Sequence, residues 1–201
     1  MNNSLKYNLL IDKYRKSMGG VFSTGDLRRL TGLQDRVLLN RRIAPLEEAG
    51  VLRRFCRGMY IAKGFSPETL SVRIIETSYL SLGTALARFL MIGSVPAGTI
   101  YAARVGRNRT FEGPGLTLEY VGIQDSLFFG YTTENAVRCA TPEKALLDTL
   151  YFHLRGRRYS FNIYEDIDLS SVDMMVIDQW LSRYRNPRFV SFVRGYLNDR
   201  S

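Results

Sequence analysis

The chain has 201 residues, 28 Lys and Arg against 19 Asp and Glu, one histidine and two cysteines. At roughly 100–200 residues per domain, this length predicts one large domain or two small ones. A hydrophobic content of 45% is ordinary for a globular protein and too high for a disordered one. No apolar run approaches the ~20 residues of a membrane helix, and no basic stretch with a following apolar run opens the chain, so neither a membrane partner nor a secretory signal is expected.

The cysteines and the histidine argue against a metal or cofactor site. Cys56 and Cys139 lie too far apart in sequence for a metal-type or redox-type spacing, and free thiols in a reducing cytoplasm are expected. His153 is the single histidine, which excludes a site built on several histidines. We therefore expect a cytoplasmic protein without metal or cofactor.

The positive charge is concentrated in the first third of the chain. Residues 1–65 hold 13 basic and 5 acidic side chains, whereas residues 66–201 hold 15 and 14. A local excess of this kind is typical of a module that binds nucleic acid. A merely basic surface is the alternative.

The elements predicted for residues 1–65 have the order of a winged helix-turn-helix. A first helix spans about 4–17, a short second one follows Ser23 or Thr24 as its cap, and a third spans about 33–49. Residues 51–56 and 59–62 then form two strands around Arg57-Gly58. In such a domain the third helix enters the major groove and the hairpin flanks it.

The spacing of apolar residues predicts which side of the third helix faces DNA. Leu39, Ile43 and Leu46 form one apolar stripe, and Gln34 and Arg41 lie opposite it. Leu33, Val37 and Ala44 form a competing stripe, and Pro45 is expected to kink or interrupt the helix. Arg, Asn and Gln are the residue types that contact base edges through two hydrogen bonds. The residues predicted to contact DNA are Ser23, Thr24, Gln34, Arg36, Asn40, Arg41, Arg42 and, in the hairpin, Arg53, Arg54 and Arg57.

The second predicted domain, residues 66–201, is α+β with a small antiparallel sheet and C-terminal helices. The boundary falls at the turn residues of 63–67. Helices are expected at 68–77 and 82–90, and strands at 99–105, 116–121, 126–131 and 135–140. Thr141 then caps a helix with Pro142 in its first turn, and helices follow at about 171–184 and 187–198.

Several segments resemble the AbiEi antitoxins of type IV toxin–antitoxin systems, which act in abortive infection and phage defence. The resemblance rests on Arg57-Gly58-Met59-Tyr60, on Ser78 to Leu86 (SYLSLGTAL) and, most specifically, on Ala140 to Asp148 (ATPEKALLD). It covers about residues 4–155. The motif residues that carry over are Ser81, Ala85, Pro142, Glu143, Lys144 and Asp148.

This resemblance implies a bacterial, non-enzymatic antitoxin that represses its own operon. Its winged helix would bind inverted repeats in double-stranded promoter DNA, as a monomer or as a homodimer on the DNA. Its C-terminal domain would neutralise a nucleotidyltransferase-like toxin. Glu143, Lys144 and Asp148 form either a surface used in antitoxicity or a capped and solvated helix start, in which Lys144 and Asp148 are an ordinary i,i+4 pair.

Two alternatives remain. One is a stand-alone winged-helix transcription factor whose C-terminal domain senses a ligand or dimerises, because the many aromatic residues of 101–164 can line a pocket or form core. The other is a metal-dependent nuclease. Glu165, Asp166 and Asp168 are of the type that holds divalent cations, and Glu112 and Glu119 lie in the predicted strand region, although no lysine accompanies them.

Overall fold

The computed structural model describes residues 3–93 and 97–200, and its α+β class is the one predicted. The chain divides into two compact units, Met1–Ile74 with Phe111–Leu116 and Ile75–Thr110 with Thr117–Ser201. The division therefore follows the fourth helix, nine residues after the boundary expected between residues 65 and 66. Every helix of the described segments is too short or too polar to cross a membrane.

Unit one combines a small sheet with helices. Its elements are α1 (Asn3–Arg15), β1 (Val21–Ser23), α2 (Thr24–Thr31), α3 (Arg36–Glu48), β2 (Leu52–Cys56), β3 (Met59–Ala62) and α4 (Pro67–Ile74). The strand order is β1-β3-β2 with both pairs antiparallel, so the hairpin gains its third strand from β1. Apolar side chains of α1, α2 and α3 form a core with the strands.

Helix α3 confirms the predicted apolar stripe and corrects its boundary. Leu39, Ile43 and Leu46 are buried. The helix begins at Arg36 because Asp35 caps it, its side chain accepting a hydrogen bond from the Leu38 N–H at 2.7 Å. Gln34 was predicted to lie on this helix; it lies in the turn before it.

Two further expectations for α3 also fail. Pro45 lies inside the helix, which continues to Glu48 without interruption. Leu46 is buried in that last turn, and its packing offsets the hydrogen bond that proline cannot donate. The competing stripe does not face the core, because Val37 and Ala44 are exposed and only Leu33 packs partly against it.

A buried carboxylate, Asp26, joins β1, α2 and α4. It accepts hydrogen bonds from the Ser23 backbone N–H at 2.8 Å and the Ser23 hydroxyl at 2.6 Å, and it pairs with Arg29 at 2.6 Å. Arg73 of α4 contacts it from the other side and also donates to the carbonyl of Val21. Burial on its own raises the pKa of Asp26, but the Ser23 hydrogen bonds and the two guanidinium groups hold this pKa below its usual value.

Unit two contains a six-stranded sheet and the remaining helices. Its elements are β4 (Ser78–Leu80), α5 (Leu82–Arg88), β5 (Thr99–Val105), β6 (Arg109–Gly113), β7 (Leu116–Ile123), β8 (Tyr131–Glu134), β9 (Val137–Ala140), α6 (Pro142–Leu154), α7 (Met174–Leu181) and α8 (Pro187–Asn198), with the ends of β6 and β7 that fall in 111–116 grouped in unit one. A single 3₁₀ turn spans Asp125–Leu127.

The predicted antiparallel sheet is mixed. Its order is β6-β7-β5-β4-β9-β8; β4 runs antiparallel to β5 and β8 antiparallel to β9, but β5–β7 and β4–β9 are parallel pairs. Parallel pairs join strands that are distant in sequence, so periodicity within each strand does not report them. The strands β4 and β6 were not predicted, and they are only three and five residues long.

The chain between β7 and α6 also differs from the prediction. The expected strand at 126–131 is mostly the 3₁₀ turn and its exit, and the strand begins only at Tyr131. Asn135 and Ala136 were assigned to the last strand, but they form the β8–β9 turn with φ of 48° and 62°. Consecutive positive φ values are the geometry of a tight hairpin turn. The predicted helices at 68–77 and 171–184 are shorter, Pro67–Ile74 and Met174–Leu181.

We expect Asp26→Asn to destabilise unit one by about 2 kcal/mol near neutral pH, because it removes charged hydrogen bonds from a buried site. A carboxylate with a lowered pKa stabilises the folded state above its unfolded pKa, and that contribution disappears as the pH falls through the folded pKa. The difference between the two proteins should therefore shrink below pH 4, near the ordinary value of 3.8.

Urea denaturation at pH 7 and pH 3 measures this difference. Asp12→Asn is the matched control, since the Asp12 side chain is 70% exposed and pairs with the exposed Arg15 at 3.4 Å. An equal loss for Asp26→Asn at both pH values would contradict the electrostatic role.

Candidate nucleic-acid interface

The outer face of α3 is formed by Val37, Arg41 and Ala44. These residues follow one another by one helical turn, and all three are exposed, Val37 with 67% of its surface. They lie opposite the buried stripe that begins at Leu39. An exposed valine beside an arginine leaves an apolar and a cationic group open on the same helix face.

Further predicted residues flank this face. Arg36, Asn40 and Arg42 are exposed. Among the described residues, no carboxylate forms an ion pair with Arg36, Arg41 or Arg42. Their guanidinium groups therefore keep all five N–H donors available to a ligand.

The hairpin presents two open arginines and one that is already bonded. Arg53 and Arg57 are exposed and unpaired with any carboxylate that the structure describes. Arg54 lies directly across from Tyr60 in the strand register, donates to its hydroxyl at 3.0 Å and lies 5.4 Å from its ring centroid. Arg54 therefore stiffens the hairpin, and Arg53 and Arg57 are its open cations.

Ser23 and Thr24 hold α2 in place. The Ser23 hydroxyl accepts from the Asp26 N–H at 3.1 Å and donates to its carboxylate, which forms a capping box. The Thr24 hydroxyl and N–H both donate to the carbonyl of Gly58, at 3.3 and 2.9 Å. Among the residues predicted to contact DNA, Ser23 and Thr24 therefore use their hydroxyls within unit one. Gln34 is exposed in the segment before α3.

The second group of motif residues forms a buried network in unit two. Lys144 has no exposed surface and Asp148 has 1%. The Lys144 Nζ donates to the Asp148 Oδ1 at 2.6 Å and to the Tyr184 hydroxyl at 3.2 Å. The other carboxylate oxygen accepts from the hydroxyls of Tyr79 and Ser81, each at 2.8 Å. The network thus joins β4, α6 and the residues that follow α7.

Aromatic rings surround the ammonium group of Lys144. Its Nζ lies 4.6 Å from the ring centroid of Phe129, and 5.9 and 5.7 Å from those of Tyr79 and Tyr184. Ring faces attract a desolvated cation, so they compensate part of the hydration that Lys144 loses. Burial, and then the negative charge of Asp148, raise the pKa of both tyrosines well above its usual value. Both hydroxyls are therefore neutral, that of Tyr79 donating to Asp148 and that of Tyr184 accepting from Lys144.

The remaining motif residues lie on both sides of this network, Ser81 and Ala85 in the core and Pro142 and Glu143 partly exposed. Ser81 and Ala85 are fully buried at the start and in the middle of α5, Pro142 occupies the first turn of α6, and the Glu143 carboxylate accepts from the Asp173 N–H at 3.1 Å. The interpretation of Lys144 and Asp148 as a surface used in antitoxicity, or as a solvated pair, is therefore wrong. Spacing predicts the i,i+4 contact, but only the packing of other elements on α6 buries it.

Among the acidic residues considered for a nuclease, Asp166, Asp168 and Glu119 have structural partners, and Glu112 and Glu165 are exposed. Asp166 accepts from the Asn162 N–H at 2.6 Å, Asp168 from the Ser170 N–H at 2.8 Å, and Glu119 pairs with Arg157 at 2.7 Å. Within the described residues, no group of three or more His, Cys, Asp or Glu side chains could hold a metal ion. His153 stacks on Phe192. Burial, followed by the charge of Arg158, lowers the pKa of His153.

Comparison with known proteins identifies the fold and no family. Neither a protein-family model nor a curated protein sequence matches the chain. Among solved structures, the chain is similar to the crystal structure of the RV2827C protein from Mycobacterium tuberculosis, with a TM-score of 0.58 and 15% sequence identity. The similarity covers 90% of this chain and 71% of that one.

We expect Lys144→Met to cost about 3–5 kcal/mol, because it leaves the buried Asp148 carboxylate without its cation. The double variant Lys144→Met with Asp148→Asn removes both charges and should recover part of that loss. Chemical denaturation of the unsubstituted protein, of Lys144→Met, of Asp148→Asn and of the double variant gives the coupling free energy between the two side chains.

Lys16→Met is the matched control, since Lys16 is exposed; we expect it to change stability by less than about 0.5 kcal/mol. Additive losses for Lys144 and Asp148 would refute the coupling between them.

Proposed function

We propose that this protein is a DNA-binding transcriptional regulator in which unit one is a winged helix-turn-helix and α3 enters the major groove. The observation that carries the proposal is a set of exposed arginines on α3 and the hairpin that pair with no carboxylate among the residues that the structure describes: Arg36, Arg41, Arg42, Arg53 and Arg57. These arginines lie on one proposed recognition helix and its hairpin. Their guanidinium groups are available to bind the phosphates of a polyanionic ligand.

The outer face of α3 favours readout of particular bases. We assign to Arg41 two hydrogen bonds to guanine, because arginine is the residue type that makes this contact, and Asn40 beside it is of the type that pairs with adenine. Val37 and Ala44 present apolar surface one turn to either side, which suits the methyl group of thymine. We assign base recognition to this face and phosphate contact to Arg36, Arg53 and Arg57.

Charge supplies affinity without sequence preference. Residues 1–65 carry a net charge of +8, and each phosphate that an arginine neutralises releases a counterion. The proposed affinity therefore falls with rising salt concentration.

The resemblance of the motif segments leads to a finer proposal. We infer an AbiEi-type antitoxin that represses its own operon at inverted repeats, binds them as two copies, and counteracts a nucleotidyltransferase-like toxin without being an enzyme itself. The buried network around Lys144 is then a stabilising core of unit two, and antitoxicity requires other, exposed residues. A regulator without a toxin is the alternative, and the presence of a toxin gene beside this one distinguishes them.

The first test is fluorescence anisotropy with the DNA immediately upstream of the gene and a scrambled duplex, at several salt concentrations. We expect the upstream duplex to bind at least about 10³-fold more tightly, the lower range for specific DNA-binding proteins. Equal binding of both duplexes, or no binding, would overturn the proposed autoregulation.

Arginine variants separate base readout from charge. Arg41→Ala should cost about 1–3 kcal/mol with the upstream duplex and much less with the scrambled one, because it removes a bidentate base contact. Arg53→Ala should weaken both duplexes alike and reduce the salt slope by about 1.

The control is Arg188→Ala, which removes the same charge from an exposed residue of α8 in unit two. If Arg41→Ala weakens both duplexes equally, Arg41 contacts phosphate and the assigned outer face is wrong.

A further inference from the structure

A surface cavity in unit two collects arginines from separate elements. It has a volume of about 190 Å³. Polar groups that line it are Gln124, Ser126, Arg155, Arg183, Arg185 and Asn186. Three arginines and no carboxylate among the described lining residues make this a cationic pocket.

The three arginines are brought together by tertiary packing. Arg155 caps the C-terminal end of α6, whereas Arg183 and Arg185 lie between α7 and α8. None of them forms an ion pair with a carboxylate in the part of the chain that the structure describes. Their mutual repulsion is therefore not offset by an acidic side chain.

Aromatic rings fix two of the guanidinium groups. The Arg155 guanidinium carbon lies 4.4 Å from the ring centroid of Tyr151, and that of Arg183 lies 4.4 Å from the ring centroid of Phe129. A guanidinium stacked on a ring keeps its N–H donors in the ring plane, open to an anion at its edge. Less side-chain entropy is then lost when a ligand binds.

We propose that this cavity binds the phosphate group of a small phosphomonoester. Two or three guanidinium groups can surround a phosphate with charge-assisted hydrogen bonds, and the Ser126 hydroxyl and the Gln124 and Asn186 amides add neutral donors. The volume is below the 300–1,000 Å³ that is typical of drug-sized ligands, which suits a phosphate head group with a small substituent. A concave site of this size fits one phosphate better than a nucleic-acid strand, whose phosphates are spaced along an open groove.

The test is an NMR titration of the ¹⁵N-labelled full chain with inorganic phosphate and with glycerol 2-phosphate, using sodium chloride at equal ionic strength as the reference. We expect saturable shifts of the amide signals of residues 124–127 and 183–186 with both phosphates and none with chloride. The double variant Arg183→Gln/Arg185→Gln should bind at least about tenfold more weakly, which corresponds to 1.4 kcal/mol.

The control is Arg188→Gln/Arg194→Gln, which removes the same charge from exposed arginines of α8 outside this cavity. Affinity should remain unchanged in this control, and thermal melts verify that both double variants fold; if the first does not, Arg155→Gln replaces it. Shifts that do not saturate, or an equal loss in the control, would show that the arginines only balance the C-terminal ends of α6 and α7 and overturn the site. A scrambled DNA duplex that displaces bound inorganic phosphate from the cavity more strongly than glycerol 2-phosphate does would overturn the phosphomonoester and indicate nucleic acid as the ligand.

Discussion

The ion pair of Lys144 and Asp148 is the interaction on which the arrangement of unit two depends. A buried charge without a partner costs several kcal/mol, so α6 is stable in this position only when the groups around it satisfy both ends of the pair. Tyr79 and Ser81 bring β4 and the start of α5 to the carboxylate, and Tyr184 brings the chain after α7 to the ammonium. Gly130, with φ of 71°, lets the backbone pass where a Cβ atom would lie 3.0 Å from the Cβ of Lys144. One pair thereby fixes elements that are far apart in sequence.

Unit one uses its charges in two ways. Asp26 is buried and surrounded by donors, and it holds β1, α2 and α4 together. The arginines of α3 and the hairpin are exposed and form no ion pair with a carboxylate among the described residues, and Arg54 alone of them donates to a side chain, the Tyr60 hydroxyl. If these arginines contributed to folding stability, we would expect them to form ion pairs with carboxylates of the same chain. Their availability, at the cost of mutual repulsion, supports the proposal of a polyanionic partner for this surface.

The cationic cavity of unit two is distinct from that surface in both shape and construction. Its arginines converge on a concavity and two of them are stacked on rings, whereas those of α3 and the hairpin are spread along a convex helix and a strand edge. Tyr184 lines the cavity and also bonds Lys144, so the floor of the pocket belongs to the buried network. A ligand in this cavity would therefore lie beside a residue of that network.

The sequence by itself determined the local structure: the capped helices, the hairpin after Gly50, the apolar stripe of α3 and the exposure of Arg41. These features depend on periodicity and on capping within a few residues, which a single chain segment contains. Tertiary structure alone decided the rest. The sheet is mixed because its parallel pairs are non-local, and the Lys144–Asp148 pair is part of the core because β4, α5 and the chain after α7 cover it. The start of α3 at Arg36, by contrast, follows from the local cap by Asp35, which apolar spacing alone does not report. The cavity arginines share no sequence motif, since only packing brings residues 155, 183 and 185 to one place.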